Sequence, residues 1–348
     1  MEFEISNKKI GKNQPPFVIA ELSANHNGNI EVAKESIIAA KNSGADAVKL
    51  QTYTPDTMTI NCDSDEFLIK DGLWKGSNLY ELYEEAYTPY EWHEELFKIA
   101  KEENIICFST AFDESAIELL ESLEAPAYKV ASFEVTDLTL LKNIALTKKP
   151  VIMSTGMANQ DEIEEAVSTL KLNGTERLAI LHCVSGYPTS PKDANLQTLV
   201  DLEKKYNCVV GLSDHTLTNA TAISAVALGA SIIEKHFIID RSLGGPDSSF
   251  SITPDQLKNL KDATKEARES IGTVNYDLKG DEKSMIKFRR SLYAVKNIKT
   301  GEKFTEKNIR RIRPGFGIEP KFYDEILGKT AKDNIKFGTA LNWDHINE

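Results

Sequence analysis

From residue 17 onward, short apolar runs rich in β-branched residues alternate with longer stretches whose apolar positions recur at helical spacing. Eight such runs can be followed: Phe17 to Leu22, Ala47 to Thr52, Ile105 to Thr110, Ala127 to Ser132, Pro150 to Thr155, Leu178 to Cys183, Cys208 to Asp214 and Ser231 to Phe237. Helix candidates lie between them, among them Val32 to Asn42, Pro89 to Glu103, Ser115 to Leu123, Asp161 to Leu170 and Ala220 to Leu228, with Gln256 to Ser270 after the eighth run. Repeated strand–helix units of this kind bury a parallel sheet on both faces, and eight of them specify a closed (β/α)8 barrel rather than an open sheet.

Punctuation along the chain fits the same plan. Thr88 before Pro89 reads as a helix N-cap with proline at the first helical position, and Gly44 and Gly229 fall where helices must end. The opening FEISNKKIG reads as a small hairpin under the barrel. Between the second run and its helix, Tyr53 to Tyr87 form an insertion carrying Trp74, Tyr80, Tyr83 and Tyr87, and aromatic content in so long a connection predicts an ordered lid that shapes a substrate site. A polar linker, residues 273–285, separates the barrel domain (1–272) from a second domain (286–348). That module contains two related phrases, NIKTGEKFTEKN (297–308) and NIKFGTALNWDH (334–345), each expected to form a strand, a glycine turn and a short helix.

Composition narrows the function. A chain of 348 residues has room for a barrel of about 250 residues and a smaller module. Its net charge of −12 argues against a nucleic-acid or anionic-membrane partner, so any anionic ligand must meet a local basic pocket. The N-terminal segment lacks the apolar core of a signal peptide and no apolar run approaches a membrane span, so a cytoplasmic protein is expected. Four cysteines far apart (Cys62, Cys107, Cys183, Cys208) encode neither a zinc ribbon nor a disulfide framework and read as reduced thiols.

Barrel enzymes place their chemistry at the C-terminal ends of the strands, and here those ends are polar throughout. They offer Glu21; Lys49 and Gln51; Ser109 and Thr110; Lys129, Ser132 and Glu134; Ser154 and Thr155; His182 and Ser185; Ser213, Asp214 and His215; Glu234 and His236. A single strand-end serine usually caps a helix, but a full ring of such groups is costly to bury without a ligand. His215 and His236 end adjacent strands and can converge on one cation, a set that suits Mn, Fe, Co or Zn, with Asp214 and Glu234 as supporting carboxylates. Lys49 and Lys129 interrupt apolar strands and can neutralise a phosphate and a carboxylate together. In the second module, RIRPGFG holds Arg313 on a rigid loop that can offer a guanidinium to a neighbouring active site.

The chain resembles the sialic acid synthase family in IAELSANHNG (19–28), GADAVKLQTY (44–53), FSTAFD (108–113), AYKVAS with Glu134, STGM (154–157), LHCVSGYPT (181–189), GLSDHT (211–216), EKHF (234–237) and RPGFG (313–317). These matches run in order over nearly the whole chain. The resemblance implies a TIM barrel that condenses phosphoenolpyruvate with an acetamido sugar, followed by a β-rich antifreeze-like (SAF) domain that covers the barrel of the partner chain in a domain-swapped homodimer. It places Lys49, Thr110, Lys129, Ser132, Ser154, Ser185 and Ser213 at phosphoenolpyruvate positions, and Glu21, Gln51, Tyr187, Asp247, Phe288 and Arg313 at sugar positions. His215 and His236 fall at metal-ligand positions, for Mn2+ with Mg2+ or Co2+ as alternatives, and Glu134, Lys129 and Glu21 at catalytic ones. Ser185 and Gly186 depart from the N-acetylneuraminate branch, and the lid phrase GLWKGSNLYELYEEAYTPYEWH is similar to the pseudaminic acid branch, whose sugar is a 2,4-diacetamido-2,4,6-trideoxy hexose. The alternatives are an N-acetylneuraminate or legionaminic acid synthase, a Schiff-base aldolase using Lys129 or Lys49, and a carbohydrate-binding protein.

Overall fold

A computed structural model describes residues 1–347, which divide into two compact units, one from Met1 to Gly272 and one beginning at Thr273. In the first unit β1 (Glu2–Ile5) and β2 (Lys8–Gly11) form an antiparallel hairpin. Eight parallel strands follow and close into a barrel: β3 (Phe17–Glu21), β4 (Ala47–Thr52), β5 (Ile106–Ala111), β6 (Tyr128–Val130), β7 (Val151–Ser154), β8 (Leu178–Cys183), β9 (Val209–Ser213) and β10 (Ile232–His236). Around it run α1 (Ile30–Asn42), α2 (Pro55–Met58), α3 (Leu79–Ala86), α4 (His93–Glu102), α5 (Glu114–Ser122), α6 (Leu138–Leu146), α7 (Gln160–Leu172), α8 (Gln197–Tyr206), α9 (Ala220–Ala227) and α10 (Pro254–Ile271). Among the described residues no helix is long and apolar enough to cross a membrane.

The period-2 geometry of strands sorts the core into two layers. Ile19, Ala47, Phe108, Ile152, Ala179, Leu181, Val209 and Ile232 fill the barrel interior. Their neighbours Val18, Ala20, Val48, Cys107, Tyr128, Met153, Ile180, Leu212 and Ile233 face the helices. Phe3, Ile5 and Ile10 of the hairpin join the interior cluster, and Asp46 fixes the hairpin and α10 beneath the barrel through Lys8 and Lys261. Gly211 faces the interior where an added Cβ would meet Ile232 O at 2.4 Å and the Leu181 side chain at 2.6 Å, so only glycine fits between those strands.

Helix ends match the turn chemistry at Gly44 (φ +88) and Gly229 (φ +112). Thr88 does not cap α4. Its hydroxyl shares a 3.2 Å hydrogen bond with buried His26 Nε2, and the chain enters α4 through a 3-10 turn at Tyr90–Trp92 that has no side-chain cap.

In the second unit β11 (Ser291–Ala294) pairs antiparallel with β12 (Ile309–Ile312). Each of the two related phrases opens on a single bridge, at Ile298 or Ile335, in place of a strand and has a glycine turn at Gly301 or Gly338, and the second ends in a 3-10 turn, Trp343–His345, in place of a helix. They pair with each other at equivalent positions: Ile298 and Ile335 exchange N–H···O bonds of 2.8 Å in both directions. Asn297 Oδ1 accepts from Phe337 N (2.8 Å), and Asn334 Oδ1 accepts from Thr300 N (3.0 Å). The repeat is therefore a local pseudo-two-fold around a core of Leu292, Ile298, Phe304, Ile326, Ile335 and Leu341. Within the linker segment, Glu282–Met285 make one helical turn.

Candidate active site

Alternation along the barrel strands decides which rim residues meet. Glu21, Lys49, Gln51, Thr110, Lys129, Ser154, Cys183, Ser213, Glu234 and His236 share the parity of the interior cluster, and all of these but Glu21 and Thr110 line a cavity of about 370 Å3 at the C-terminal mouth. Glu21 and Thr110 lie directly behind it, each in contact with Lys49. Loops supply Ser132, Glu134, Tyr187, His215 and Asp247, and the insertion supplies Tyr53, Met58, Ile69, Trp74, Leu79, Leu82, Tyr83 and Ala86.

Four expected rim residues face the helices instead. Ser109 bonds Thr52 Oγ1 at 2.6 Å, and that hydroxyl also reaches His93 Nε2 at 2.8 Å. Thr155 donates to Leu181 O, and His182 Nε2 lies 2.6 Å from Ala194 O. Asp214 makes no hydrogen bond to either histidine: it forms a buried ion pair with Lys235 (2.8 Å) and accepts from Thr216 N (2.9 Å), and acts on His215 through its charge alone. Each has the wrong parity for the cavity.

The cavity floor is a charge lattice. Lys49 Nζ lies 2.6 Å from Glu21 Oε2 and 3.4 Å from Glu234 Oε1, and donates to Thr110 Oγ1 at 3.1 Å. Lys129 Nζ lies 3.7 Å from the same Glu234 oxygen. Burial works against both ammonium groups; Glu21 and Glu234 hold Lys49 above its ordinary range, whereas Lys129 is pushed below it, with Lys49 as a repelling neighbour. Burial raises the Glu134 carboxyl to about 7 against the pull of Lys129.

Beside this lattice the β6, β7 and β8 ends converge around Gly156. An added Cβ there would lie 2.2 Å from Ser185 Oγ and 2.8 Å from Ser132 Oγ, so a glycine lets three loops close into a cradle. Ser154 Oγ and Ser185 Oγ are buried without a protein partner, as are Glu134 Oε2 and Glu234 Oε2. Such groups are held ready for something other than the protein.

His215 and His236 stand with ring centroids 5.4 Å apart. His215 Nδ1 lies 3.0 Å from Val184 O, which leaves its Nε2 for a ligand, and His236 Nδ1 is buried, unpartnered and 3.6 Å from Asp247 Oδ2. Asp247 accepts a 2.5 Å bond from Ser23, and Ser23 also accepts from Gln51 Nε2 at 2.9 Å. Among the described residues no three His, Cys, Asp or Glu side chains gather as a closed metal site. The two imidazoles alone offer a divalent cation an incomplete donor set, which substrate or water would have to complete. Charge fits too: two ammonium groups face Glu21 and Glu234, with Asp247 a third carboxylate, so an anion binding here needs additional positive charge.

Sequence reasoning missed three contributors. Ser23 and Asn25, inside a quoted motif, tie the first loop to the segment after β10; Asn25 Nδ2 donates to Phe237 O and Ser251 Oγ, both at 2.8 Å. Cys183, read only as a reduced thiol, lines the cavity 4.0 Å from His215 Nδ1. Its inward parity on β8 was the available signal. Phe288 and Arg313 belong to the second unit, where both are exposed.

The chain is similar to known proteins over most of its length. Residues 36–276 match the NeuB family, and residues 289–347 match the SAF domain. The pseudaminic acid synthase of Campylobacter jejuni subsp. jejuni is 49% identical over 93% of this chain and 95% of its own length. That of Helicobacter pylori is 46% identical over 96% and 98%. Among solved structures, the N-acetylneuraminic acid (sialic acid) synthetase of Leptospira borgpetersenii in complex with citrate superimposes with a TM-score of 0.74 at 33% identity, covering 83% of this chain and 96% of that one. A polar-mouthed eight-stranded barrel that matches across this span places the chain in the NeuB family.

Proposed function

We infer that the chain condenses phosphoenolpyruvate with 2,4-diacetamido-2,4,6-trideoxy-L-altrose to give pseudaminic acid and phosphate. It is a phosphoenolpyruvate-dependent transferase of the family to which it belongs. One observation carries the chemistry: Lys49 and Lys129 flank Glu234 in the same cavity as the histidine pair and Ser132, Ser154 and Ser213. The sugar is inferred from the two pseudaminic acid synthases that match the chain over most of its length.

Lys49 and Lys129 neutralise the phosphate and carboxylate of phosphoenolpyruvate, Ser132, Ser154, Ser185 and Ser213 take its oxygens, and Thr110 steadies Lys49. Gln51, Tyr187 and Asp247 orient the open-chain sugar, with Glu21 behind them accepting from Gln51 Nε2 at 3.0 Å, and C3 of phosphoenolpyruvate attacks the aldehyde carbon. His215 and His236 would hold a divalent cation, Mn2+ before Mg2+ or Co2+, which when bound would supply Lewis-acid polarisation of the aldehyde. Positive charge develops at C2, where Glu21 and Glu234 oppose it. Glu134 takes the proton of the water that adds at C2; a carboxylate raised to about 7 by burial is matched to that task near neutrality. Phosphate then leaves the tetrahedral carbon.

Phe288 and Arg313 complete the sugar site of a partner chain in a homodimer, consistent with their exposure on the second unit. Unpaired buried thiols at Cys107, Cys183 and Cys208 fit the reducing cytoplasm.

Phosphate release and product mass test the reading. With the diacetamido trideoxy altrose and Mn2+, one phosphate and one nine-carbon 2-keto acid should form per sugar, and EDTA should abolish both. Preference for N-acetylmannosamine or for the legionaminic precursor overturns the sugar assignment. Borohydride trapping of Lys129 or Lys49 with substrate overturns the condensation in favour of an aldolase.

A further inference from the structure

The floor described above accounts for only one side of the cavity. The opposite wall comes from the insertion, where α3 carries Leu79, Leu82, Tyr83 and Ala86 at the i, i+3, i+4, i+7 spacing of an amphipathic helix, with Glu81, Glu84 and Glu85 exposed on its other face. A stripe of this kind ordinarily seals against a protein core. Here all four residues line the cavity, none belongs to a hydrophobic core cluster, and no residue of α3 is fully buried. Met58 and Ile69 extend the same wall. Trp74 fixes the insertion in place, donating from Nε1 to Pro246 O at 3.2 Å and resting its ring 5.7 Å from Tyr187, whose ring is 4.4 Å from that of His215. The apolar wall is thus tied to the loops that carry Asp247 and the reacting end of the site.

Resting on the proposed reaction, we propose that Met58, Ile69, Leu79, Leu82 and Ala86 form the specificity subsite for the apolar end of the sugar, receiving the C6 methyl and the C4 acetamido methyl. A C6 hydroxyl placed there would give up its water with no aliphatic side chain able to replace the hydrogen bond. An apolar pocket discriminates against one added hydroxyl by about 10- to 100-fold, so that is the preference this wall supplies.

The test compares kcat/KM for the 2,4-diacetamido-2,4,6-trideoxy sugar with that for its 6-hydroxy counterpart. Wild type should prefer the 6-deoxy sugar by about 10- to 100-fold. Leu82→Asn and Leu79→Asn should each cut that ratio at least fivefold, mainly through the sugar KM, with the phosphoenolpyruvate KM unchanged. Leu82→Met, which keeps the wall apolar, should retain the preference, as should Glu85→Gln on the outer face. A wild-type ratio below threefold overturns the subsite whether or not any variant folds, and so does an unchanged ratio in folded Leu82→Asn and Leu79→Asn. Failure of the reaction itself looks different: the wild type would then turn over neither diacetamido sugar.

Discussion

Glu234, Lys235 and His236 are consecutive on β10, yet they belong to two different economies of polarity. Glu234 and His236 point into the cavity, and each has a buried atom without a hydrogen-bond partner. Lys235 between them points to the helices, where Asp214, Thr216 O (2.5 Å) and Thr218 O (3.4 Å) satisfy its ammonium. The division is as sharp at the end of β7, where Ser154 Oγ is buried without a partner and Thr155 donates to Leu181 O; at the ends of β8 and β9 inward Cys183 and Ser213 line the cavity while outward His182 and Asp214 are held by Ala194 O and Lys235. Outward groups are matched by the protein and hold the rim in shape, while inward groups bond one another only in part and leave atoms of Ser154, Glu234 and His236 for substrates. Polarity at a strand end therefore does not mark a site; polarity that is left unmatched and faces the cavity does.

The inward set should break first in rate. Glu134→Gln keeps the shape and removes the base, so kcat should fall about 10²- to 10⁴-fold. In wild type, activity should rise with pH through about 7, as the carboxyl whose pKa burial has raised becomes ionised and able to accept a proton. The variant's residual activity should lack that limb. A wild-type profile flat from pH 6 to 8 would remove Glu134 from the chemistry.

One substitution made on opposite faces sharpens the comparison. Lys235→Met strands Asp214 in the interior and should cost about 3 to 5 kcal/mol of stability. Lys129→Met removes a cation whose burial is already unfavourable, so the fold should lose little, whereas the stranded anion contact should lower kcat/KM for phosphoenolpyruvate by the equivalent of about 2 to 5 kcal/mol. Denaturant midpoints and initial rates separate the two. Equal destabilisation by both would dissolve the distinction between the faces.

Histidines divide in the same way. His26 is buried beside Trp92 and Thr88, outside the cavity, and burial, with His93 adding to it, lowers its pKa from 6.5 to about 4. The folded state thus binds the proton less readily than the unfolded chain. Its contribution is fully present above pH 6.5 and is lost as pH falls toward 4, at most about 3 kcal/mol. Urea midpoints of wild type should drop over that interval more steeply than those of His26→Gln; parallel curves would show that His26 is not held neutral.

Much of this was legible beforehand because strand and helix periods are local properties. The eight runs became β3 to β10, and Lys49, Lys129, His215 and His236 came together from four separate stretches. What failed was parity. Ser109, Thr155, His182 and Asp214 were grouped with the site because every polar residue near a strand end was counted, although alternation from Phe108, Ile152, Leu181 and Ser213 already turned them outward. The stripe on α3 could be seen as spacing, but whether it meets a core or a cavity depends on tertiary placement. In the second unit the repeat was visible, but its use was not: Ile298 and Ile335 pair across the pseudo-two-fold, a long-range contact that no local pattern encodes.

The smallest expected effect lies in the cradle, at Gly156→Ala. No positive φ obliges glycine there, so the backbone accepts alanine; the clash is with two serine hydroxyls that can turn away and with the Ser132 Cβ at 3.1 Å, which must give by a few tenths of an ångström. The fold should keep its stability to within about 1 kcal/mol. The turned hydroxyls, however, are Ser185 Oγ, which is otherwise free for a ligand, and Ser132 Oγ, which accepts from Gly156 N at 3.0 Å. Losing one hydrogen bond to a charged phosphate costs about 1.5 to 3 kcal/mol, so the phosphoenolpyruvate KM should rise roughly 10- to 100-fold while the sugar KM stays put. If the sugar KM moves instead, the serine cradle holds the sugar, and the two substrates occupy the opposite ends of the cavity from those assigned to them.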